Sequence, residues 1–322
     1  MRIGILSRNR MLYSTGRLAQ AARAQGHEVL VIDTTTVAVE TGTDEGQHIK
    51  VVKAGILPAW GRRSGGVQRA VTRLPALEAI IPRIGTSITQ YGLAVVRQFE
   101  AQGVWTTATS AAIASSRDKL HSSQIMAQAG LPIPKTAFLA QPEAVITAVQ
   151  AVGGPPVIIK LVRGTQGKGV ILAHNLATAI AVIKTIQQAN RQALVQEFIA
   201  ESAGKDLRLI VVGNRCVAAM ERHASSEGEF RANLHLGGTA VSITPDNEMI
   251  KLAVAAAQAH GLKVAGVDIL LSNRGPLVLE VNSSPGLQGI ETVTGVDVAG
   301  EIIGYLEKVA NGRSRRPKRR RR

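Results

Sequence analysis

Two stretches near the C-terminal end of the chain limit what it can become. One is Gly266-Val267-Asp268-Ile269-Leu270-Leu271; the other is VLEVNSSPG, from Val278 to Gly286. Both are runs of aliphatic and β-branched residues, the composition of buried strands. Glu280 and Asn282 are two residues apart, so a strand turns them to the same face. Ser272-Asn273-Arg274-Gly275-Pro276 separates the two stretches, which predicts a hairpin with a longer loop. If the strands pair antiparallel, the Asp268 and Glu280 carboxylates and the Asn282 amide oxygen converge. Apolar strands seldom carry such groups inward unless a cation compensates them. A set of oxygen ligands alone suits a hard cation, and Mg²⁺ usually takes a few carboxylates plus substrate phosphates. On spacing alone, a solvated face of an edge strand stays open as the competing reading.

A chain of 322 residues is long for one core, which predicts two or more subdomains. With 32 glycines and only 3% aromatic residues, it suits many strands and turns, not a stacking platform for single-stranded nucleic acid. The single cysteine, Cys216, excludes an internal disulfide and fits a reducing cytosol, so a cytoplasmic location is expected. It lies in the apolar run Cys216-Val217-Ala218-Ala219-Met220 and reads as packing, not as a nucleophile. The sequence has neither a signal segment nor an apolar run of about 18 residues, so no membrane role is expected. Eight of the last ten residues, RSRRPKRRRR, are positive and none is negative, within a net charge of +15. Such a run resists folding, and residues 311–322 read as a disordered basic tail. Its partner would be rRNA, another polyanion or an acidic protein segment, with a merely solubilising tail the open alternative.

RIGILS, a helix from about Thr15 to Gln25 and HEVLVID make a strand–helix–strand unit, expected to be parallel and right-handed. The first turn, Ser7-Arg8-Asn9-Arg10, lacks the glycines of a dinucleotide site. Residues 41–73 read as an irregular, basic insertion around one short strand, His48 to Val52. A strand at Ala79-Ile80-Ile81 and a helix from Tyr91 to Gln102 follow. Another helix is expected to start at Ser116, as N-cap, and to stop at Gly130. Strands are expected at Val157–Leu161, Val170–Leu172, Ala193–Phe198, Leu207–Val212 and Cys216–Met220. Helices are expected at about Leu176–Ala189, Asp246–His260 and Ala299–Ala310.

Lys160 ends a strand, and RGTQGKGV follows from Arg163 to Val170. Gly164, Gly167 and Gly169 allow backbone N–H groups to approach phosphate oxygens, and Lys160 and Lys168 add charge. The string is not a P-loop, because Val162 stands where the first glycine is needed and Gly169 follows the lysine. A glycine-rich hairpin covering a nucleotide is the better reading; an ordinary hairpin with two surface lysines is the bland one. Lys119 stands at a helix start, where anions are favoured. Glu197, Phe198 and Asp206 flank a connection able to hold a base and a ribose. Arg208, Arg222, Arg231 and Asn233 lie on or beside the next strands, where arginine suits phosphate or carboxylate.

RDKL, VIIKLVRGTQGKGV, VQEFI, GKDLRLIVVG, FRANLHLGG, AGVDIL and LEVNSSPGLQGIE occur in one order. Together with PRIGTSIT they resemble the RimK family of ATP-grasp carboxylate–amine ligases over nearly the whole chain. The resemblance implies an α/β ATP-grasp fold of two α+β lobes behind an N-terminal, Rossmann-like pre-ATP-grasp subdomain. On that basis residues 1–112 would form the pre-ATP-grasp part and 113–310 the ATP-grasp part, its lobes split near residue 193. It further implies that Lys119 and Lys160 contact ATP phosphates under the glycine loop, that Glu197 and Phe198 line the adenine pocket, and that Asp206 holds the ribose. Arg231 and Asn233 would face the phosphates or the acyl group, with Arg231 and Lys160 the catalytic pair. Asp268, Glu280 and Asn282 would bind two Mg²⁺, or Mn²⁺ in their place. The implied reaction makes an acyl phosphate from a carboxylate and ATP, which the amine of L-glutamate attacks. The implied acceptor is a protein C-terminus, ribosomal in the type member, and a homo-oligomer is expected. A small-molecule, peptide or carrier-protein acceptor is the alternative, and an RNA-binding protein acting through its tail is the reading from another class. A basic pocket for glutamate could draw on Arg83 or Arg208. The segment from about Ala54 to Arg73 and the arginine tail depart from the family pattern.

Overall fold

The computed structural model describes residues 1–40, 48–52, 71–162, 169–226, 229–232 and 237–314. Their contacts divide into two compact units. The first comprises the described residues of Met1–Ser110 and Ala299–Arg322, the second Ala111–Val298.

The first unit begins with strand β1 (Arg2–Leu6), helix α1 (Tyr13–Ala24) and strand β2 (Glu28–Ile32). Strands β3 (Val37–Glu40), β4 (His48–Val52), β5 (Val71–Arg73) and β6 (Ala79–Pro82) follow, then helix α2 (Thr89–Ala101) and strand β7 (Trp105–Thr106). The main sheet runs β2-β1-β6-β7 and every pairing in it is parallel. Ile3, Ile5, Leu6 and Ile80 are fully buried in it, and Leu18, Ala22, Val95, Val96 and Phe99 of the two helices are buried as well. This is the strand–helix–strand unit expected from RIGILS and HEVLVID. The strand predicted alone at His48–Val52 is not alone: it pairs antiparallel with β3 on one side and β5 on the other. Those flanking strands, VAVE and VTR, are too short to show a period. The C-terminal helix, Val298–Ser314, closes on this unit, with Glu307 2.9 Å from His27 and Tyr305 stacked at a tilt on Trp105. It runs past the expected end at Ala310, so residues 311–314, read from the sequence as the start of a disordered tail, are helical, and 315–322 lie outside the described residues.

The second unit opens with helices α3 (Ser110–Arg117) and α4 (Lys119–Gln128), strand β8 (Thr136–Leu139) and helix α5 (Val145–Ala151). Strands β9 (Val157–Leu161) and β10 (Val170–Ala173), helix α6 (Leu176–Gln188) and strand β11 (Ala193–Glu197) complete its first lobe. Their sheet has the order β10-β9-β11-β8 and is antiparallel throughout. Val157, Ile159, Ala173, Ala179, Ile183 and Val195 form its core under α5 and α6. The helix expected to begin at Ser116 begins at Asp118 instead. The Asp118 carboxylate accepts the His121 amide at 3.0 Å, whereas the Ser116 hydroxyl turns back into α3 to the Ile113 carbonyl at 3.2 Å.

The second lobe holds strands β12 (Lys205–Val212), β13 (Arg215–His223) and β14 (Thr239–Ser242), helix α7 (Asn247–Ala259), strands β15 (Val264–Ser272) and β16 (Gly275–Asn282), and helix α8 (Gln288–Thr294). Its antiparallel sheet has the order β14-β13-β12-β15-β16. Helix α7 packs on β12, β13, β15 and β16 through buried Leu252, Ala253, Ala256 and Ala257. Asp246 caps it by accepting the Met249 amide at 2.8 Å. The β15–β16 turn is tighter than predicted: Ser272 pairs with Gly275, which leaves Asn273-Arg274 as a two-residue loop with Gly275 at φ 96°. No helix among the described residues is long and apolar enough to cross a membrane.

Candidate active site

The register of β15 and β16 sets Asp268 directly opposite Glu280, and Gly266 opposite Asn282. A bulge lies between Asp268 and Ile269. Asp268 is 4% exposed between fully buried Val267 and Ile269, while Glu280 is exposed at the surface of the same hairpin. The strand period turns Asp268 away from its two apolar neighbours.

Lys160, at the end of β9, and Lys119, in the first turn of α4, lie within electrostatic reach of this pair. Burial pushes the Lys160 ammonium down to about 8; Glu280 and Asp268 oppose the shift and Lys119 adds to it. Burial lowers Lys119 as well, against the pull of Glu280 and Asp118. Two lysines therefore stand near two carboxylates, on segments drawn from both lobes. Lys160 is the last residue of β9 paired with β10. It pairs with Val170, and the Leu161 amide donates to the Gly169 carbonyl at 3.0 Å. Gly169 is held at φ +77°, and a Cβ there would lie 2.5 Å from Leu161 Cδ1. Gly164 and Gly167 lie outside the described residues, as do Lys168 and Asn233.

Asp268 is not bare. Arg208 grips it with a fork, Nε to Oδ1 at 2.7 Å and Nη2 to Oδ2 at 2.6 Å. Arg222 adds a third bond, Nη2 to Oδ2 at 2.8 Å, and forks Asp206 at 2.6 and 2.7 Å. Burial works against ionisation of Asp268, but the two guanidinium groups outweigh it and hold the carboxyl below the usual range. Asp206 is the easier of the two to protonate, because burial and the Asp268 charge push it up against the Arg222 fork. These arginines are part of the site to an extent the sequence reading did not anticipate. The available signal was a charged residue at every second position, 206 and 208, inside an apolar strand.

The other expected contacts are placed as follows. Glu197 ends β11 and receives a fork from Arg274 at 2.7 and 2.8 Å, and also the Lys135 amide. Arg274 holds its carboxyl below the ordinary range despite partial burial. Phe198 follows, half-buried. Arg231 forks Glu229 at 2.8 and 2.7 Å, keeping that carboxyl down at about 2, and lies 5.5 Å over the Phe230 ring.

Among the described residues no cluster of three or more His, Cys, Asp or Glu could enclose a metal ion. The oxygen donors of Asp268, Glu280 and Asn282 nonetheless fit Mg²⁺, which is bound by one or two carboxylates with phosphates and water completing the shell. The shared Arg208 and Arg222 bonds keep the Asp268 donor ionised, as a hard cation requires.

The RimK-like ATP-grasp domain family matches residues 116–306, and the RimK PreATP-grasp domain family matches 1–54 and 62–113. The chain belongs to the RimK family. Residues 55–61, left unmatched, fall in the basic segment that departs from the family pattern. A relative from Pseudoalteromonas translucida, described as a probable alpha-L-glutamate ligase, is 48% identical over 97% of each chain. The RimK domain ATP-grasp protein of Sphaerobacter thermophilus superposes with a TM-score of 0.69 at 20% identity, covering 95% of this chain and 99% of that one. The ATP-grasp ligase PsnB, solved with minimal precursor, Mg and ADP, gives 0.68 at 19% identity, covering 96% and 98%. The fold is ATP-grasp, and this RimK-family protein is an ATP-dependent ligase.

Proposed function

We propose that the enzyme uses ATP to activate a C-terminal carboxylate of a peptide or protein and joins it to the amine of L-glutamate. The observation that carries this reading is the pairing of Asp268 with Glu280 across β15 and β16, within electrostatic reach of Lys119 and Lys160. Two acids and two bases drawn from both lobes suit a nucleotide triphosphate with its metals. The name of the Pseudoalteromonas relative supports glutamate as the amine.

Asp268, Glu280 and Asn282 would hold two Mg²⁺. Bound there, the metals supply Lewis-acid neutralisation of phosphate charge. Lys160 and Lys119 then meet the remaining negative charge, and the approach of phosphate returns Lys160 to its full positive state. Gly164, Gly167 and Gly169 would offer backbone N–H groups to the phosphates, and exclusion of water would protect the activated carboxylate. Arg231 exchanges Glu229 for phosphate or acyl oxygen, with Asn233 beside it. Glu197 and Phe198 border the adenine. In the overall step the acceptor carboxylate oxygen takes the γ-phosphoryl group and ADP leaves. The glutamate amine then forms the C–N bond, phosphate leaves, and the amine gives up a proton.

The pre-ATP-grasp part is assigned to residues 1–112 and the ATP-grasp part to 113–310; its lobes divide after β11 and not near 193 as expected, because β11 pairs with β9 in the first-lobe sheet. The acceptor is assigned to a small-subunit ribosomal protein in the cytoplasm, with the enzyme a homo-oligomer and the arginine-rich residues after Ser314 binding rRNA or an acidic segment. Incubation with ATP, Mg²⁺, labelled glutamate and purified small ribosomal subunits tests this. One protein should gain the mass of glutamyl residues. Label that enters only free peptides bearing a C-terminal carboxylate would reject the ribosomal acceptor and keep the ligase. No ADP release with any acceptor would reject the ligase reading itself.

A further inference from the structure

Helix α4 precedes the first-lobe strands in the chain but packs against α7 and β16 of the second lobe. Its sequence, KLHSSQIMAQ, has no continuous apolar stripe, and Ser122 and Met126 are its buried residues. They are four apart, so they share one face. The Met126 contact is apolar and has no direction. The Ser122 contact has one: its hydroxyl meets His260 Nε2 at 2.9 Å, across 138 residues of chain. Ser122 and His260 are 5% and 4% exposed. Just beyond the helix, the Val278 amide of β16 donates to the Pro132 carbonyl at 2.8 Å.

His260 is itself held. It caps the C-terminal end of α7, and its Nδ1 lies 2.9 Å from the Ala256 carbonyl, one turn back in that helix. A carbonyl only accepts, so Nδ1 donates and the neutral ring leaves Nε2 to accept the Ser122 proton. With both nitrogens bonded, the ring is fixed, and the Ser122 hydroxyl is fixed with it. Ser122 follows Lys119 by three residues, about 4.5 Å along the axis and on a neighbouring part of the same face. The helix between them is regular: the Ser122 amide donates to the Asp118 carbonyl and the Ser123 hydroxyl to the Lys119 carbonyl, both at 2.8 Å. A slide or rotation of α4 at Ser122 is therefore passed on to Lys119, which lies within electrostatic reach of Glu280 on β16. An apolar pair would seal this helix contact at least as well as a buried serine and histidine; the polar pair adds a fixed register.

We propose that His260 is a positioning residue, acting through Ser122 to set helix α4 so that Lys119 meets the nucleotide phosphates from the second-lobe side. This rests on the proposed phosphate role of Lys119 and adds the residues that aim it. The two lysines then reach the phosphates from different supports: Lys119 from a helix fastened to α7 and β16, Lys160 from the first-lobe sheet.

The test is a double-mutant cycle on the full-length enzyme, with affinity for Mg²⁺-ATP measured calorimetrically in the absence of acceptor. The proteins are wild type, His260→Leu, Lys119→Met and the double variant. His260→Leu should weaken nucleotide binding about fivefold or more in the wild-type background and not in the Lys119→Met background. Ser122→Ala should behave in the same way, and it carries the cycle if His260→Leu does not fold. His260→Gln, whose amide oxygen can still accept from Ser122, should recover part of the affinity. A purely structural histidine gives another pattern: a lower melting temperature with nucleotide affinity unchanged, or equal losses of affinity in both Lys119 backgrounds. Either result would overturn the proposal. Wild-type affinity in Lys119→Met alone would overturn it from the other side, by rejecting the phosphate role on which it rests.

Discussion

Glu280 lies directly across the hairpin from Asp268, the first exposed and the second buried. One carboxylate is therefore fixed by protein bonds before any metal arrives, and the other stands ready to complete the shell. Glu280→Gln keeps the shape and removes the charge. Ligase turnover should fall about a hundredfold or more, the scale of a lost metal contribution of several kcal/mol. The exposed position predicts a stability change within about 0.5 kcal/mol. Parallel measurement of ADP release and thermal unfolding checks both; full turnover in the variant removes Glu280 from the metal set.

Lys160 titrates near 8 because burial opposes its charge more than the nearby carboxylates support it. Phosphate binds the ammonium form and raises that value. The sign follows: ATP affinity is level below pH 8, then declines by up to about tenfold per unit as pH rises through the free-enzyme value. ATP binding at pH 8 should take up protons, visible in calorimetry as heat that depends on the buffer. Lys160→Arg should show neither effect, since guanidinium stays charged. A pH-independent affinity in the wild type contradicts the assignment.

Gly169 sits where the glycine hairpin returns to its strand, at φ +77° with Leu161 Cδ1 2.5 Å from any Cβ. Gly169→Ala meets both the left-handed backbone cost, about 1–2 kcal/mol, and that clash. The first lobe should lose stability by at least that amount, and hydrogen exchange should quicken in β9 and β10. Undiminished protection of the Leu161 amide, which donates to the Gly169 carbonyl, would show that the hairpin tolerates the side chain.

His260 is a pH-dependent element of stability. Its Nδ1 donates to the Ala256 carbonyl at 2.9 Å, so Nε2 accepts the Ser122 hydroxyl, also at 2.9 Å. Burial depresses the imidazole below its ordinary 6.5 despite the Ala256 carbonyl. The unfolded chain therefore binds the proton more readily, and stability present above pH 6.5 is lost as pH falls through that value toward the folded one. Thermal unfolding between pH 7.5 and 5 should fall more steeply for wild type than for His260→Gln. Equal slopes would contradict it.

Much of the second lobe was legible because its signals are local. Asp268, Glu280 and Asn282 stand out as polar residues in aliphatic runs, and the two-residue period sets their faces. Lys160 and the glycines after it could be found the same way. The Asp206–Arg222–Asp268–Arg208 line was not legible. Its partners are 16, 46 and 60 residues apart, and they meet only once strand order and register are fixed. Ser116 was misread as a cap for a related reason. Both Ser116 and Asp118 can cap, and what decided it was helix α3, which the short run Ser110–Arg117 hides behind alanines and serines.

The bulge in β16 has one more effect. Asp268 pairs with Glu280, but Ile269 pairs with Val278, so Leu279 is the extra residue. Val278 and Glu280, two apart, would share a face in an unbroken strand; here Val278 joins fully buried Ile269 while Glu280 joins Asp268. The strand is thus cut into two segments of independent phase, a turn-side segment keyed to the core and a chemical segment keyed to the carboxylates. Loss of Leu279 would weld them into one frame, and the chain could then satisfy its oil or its metal on that strand, but not both.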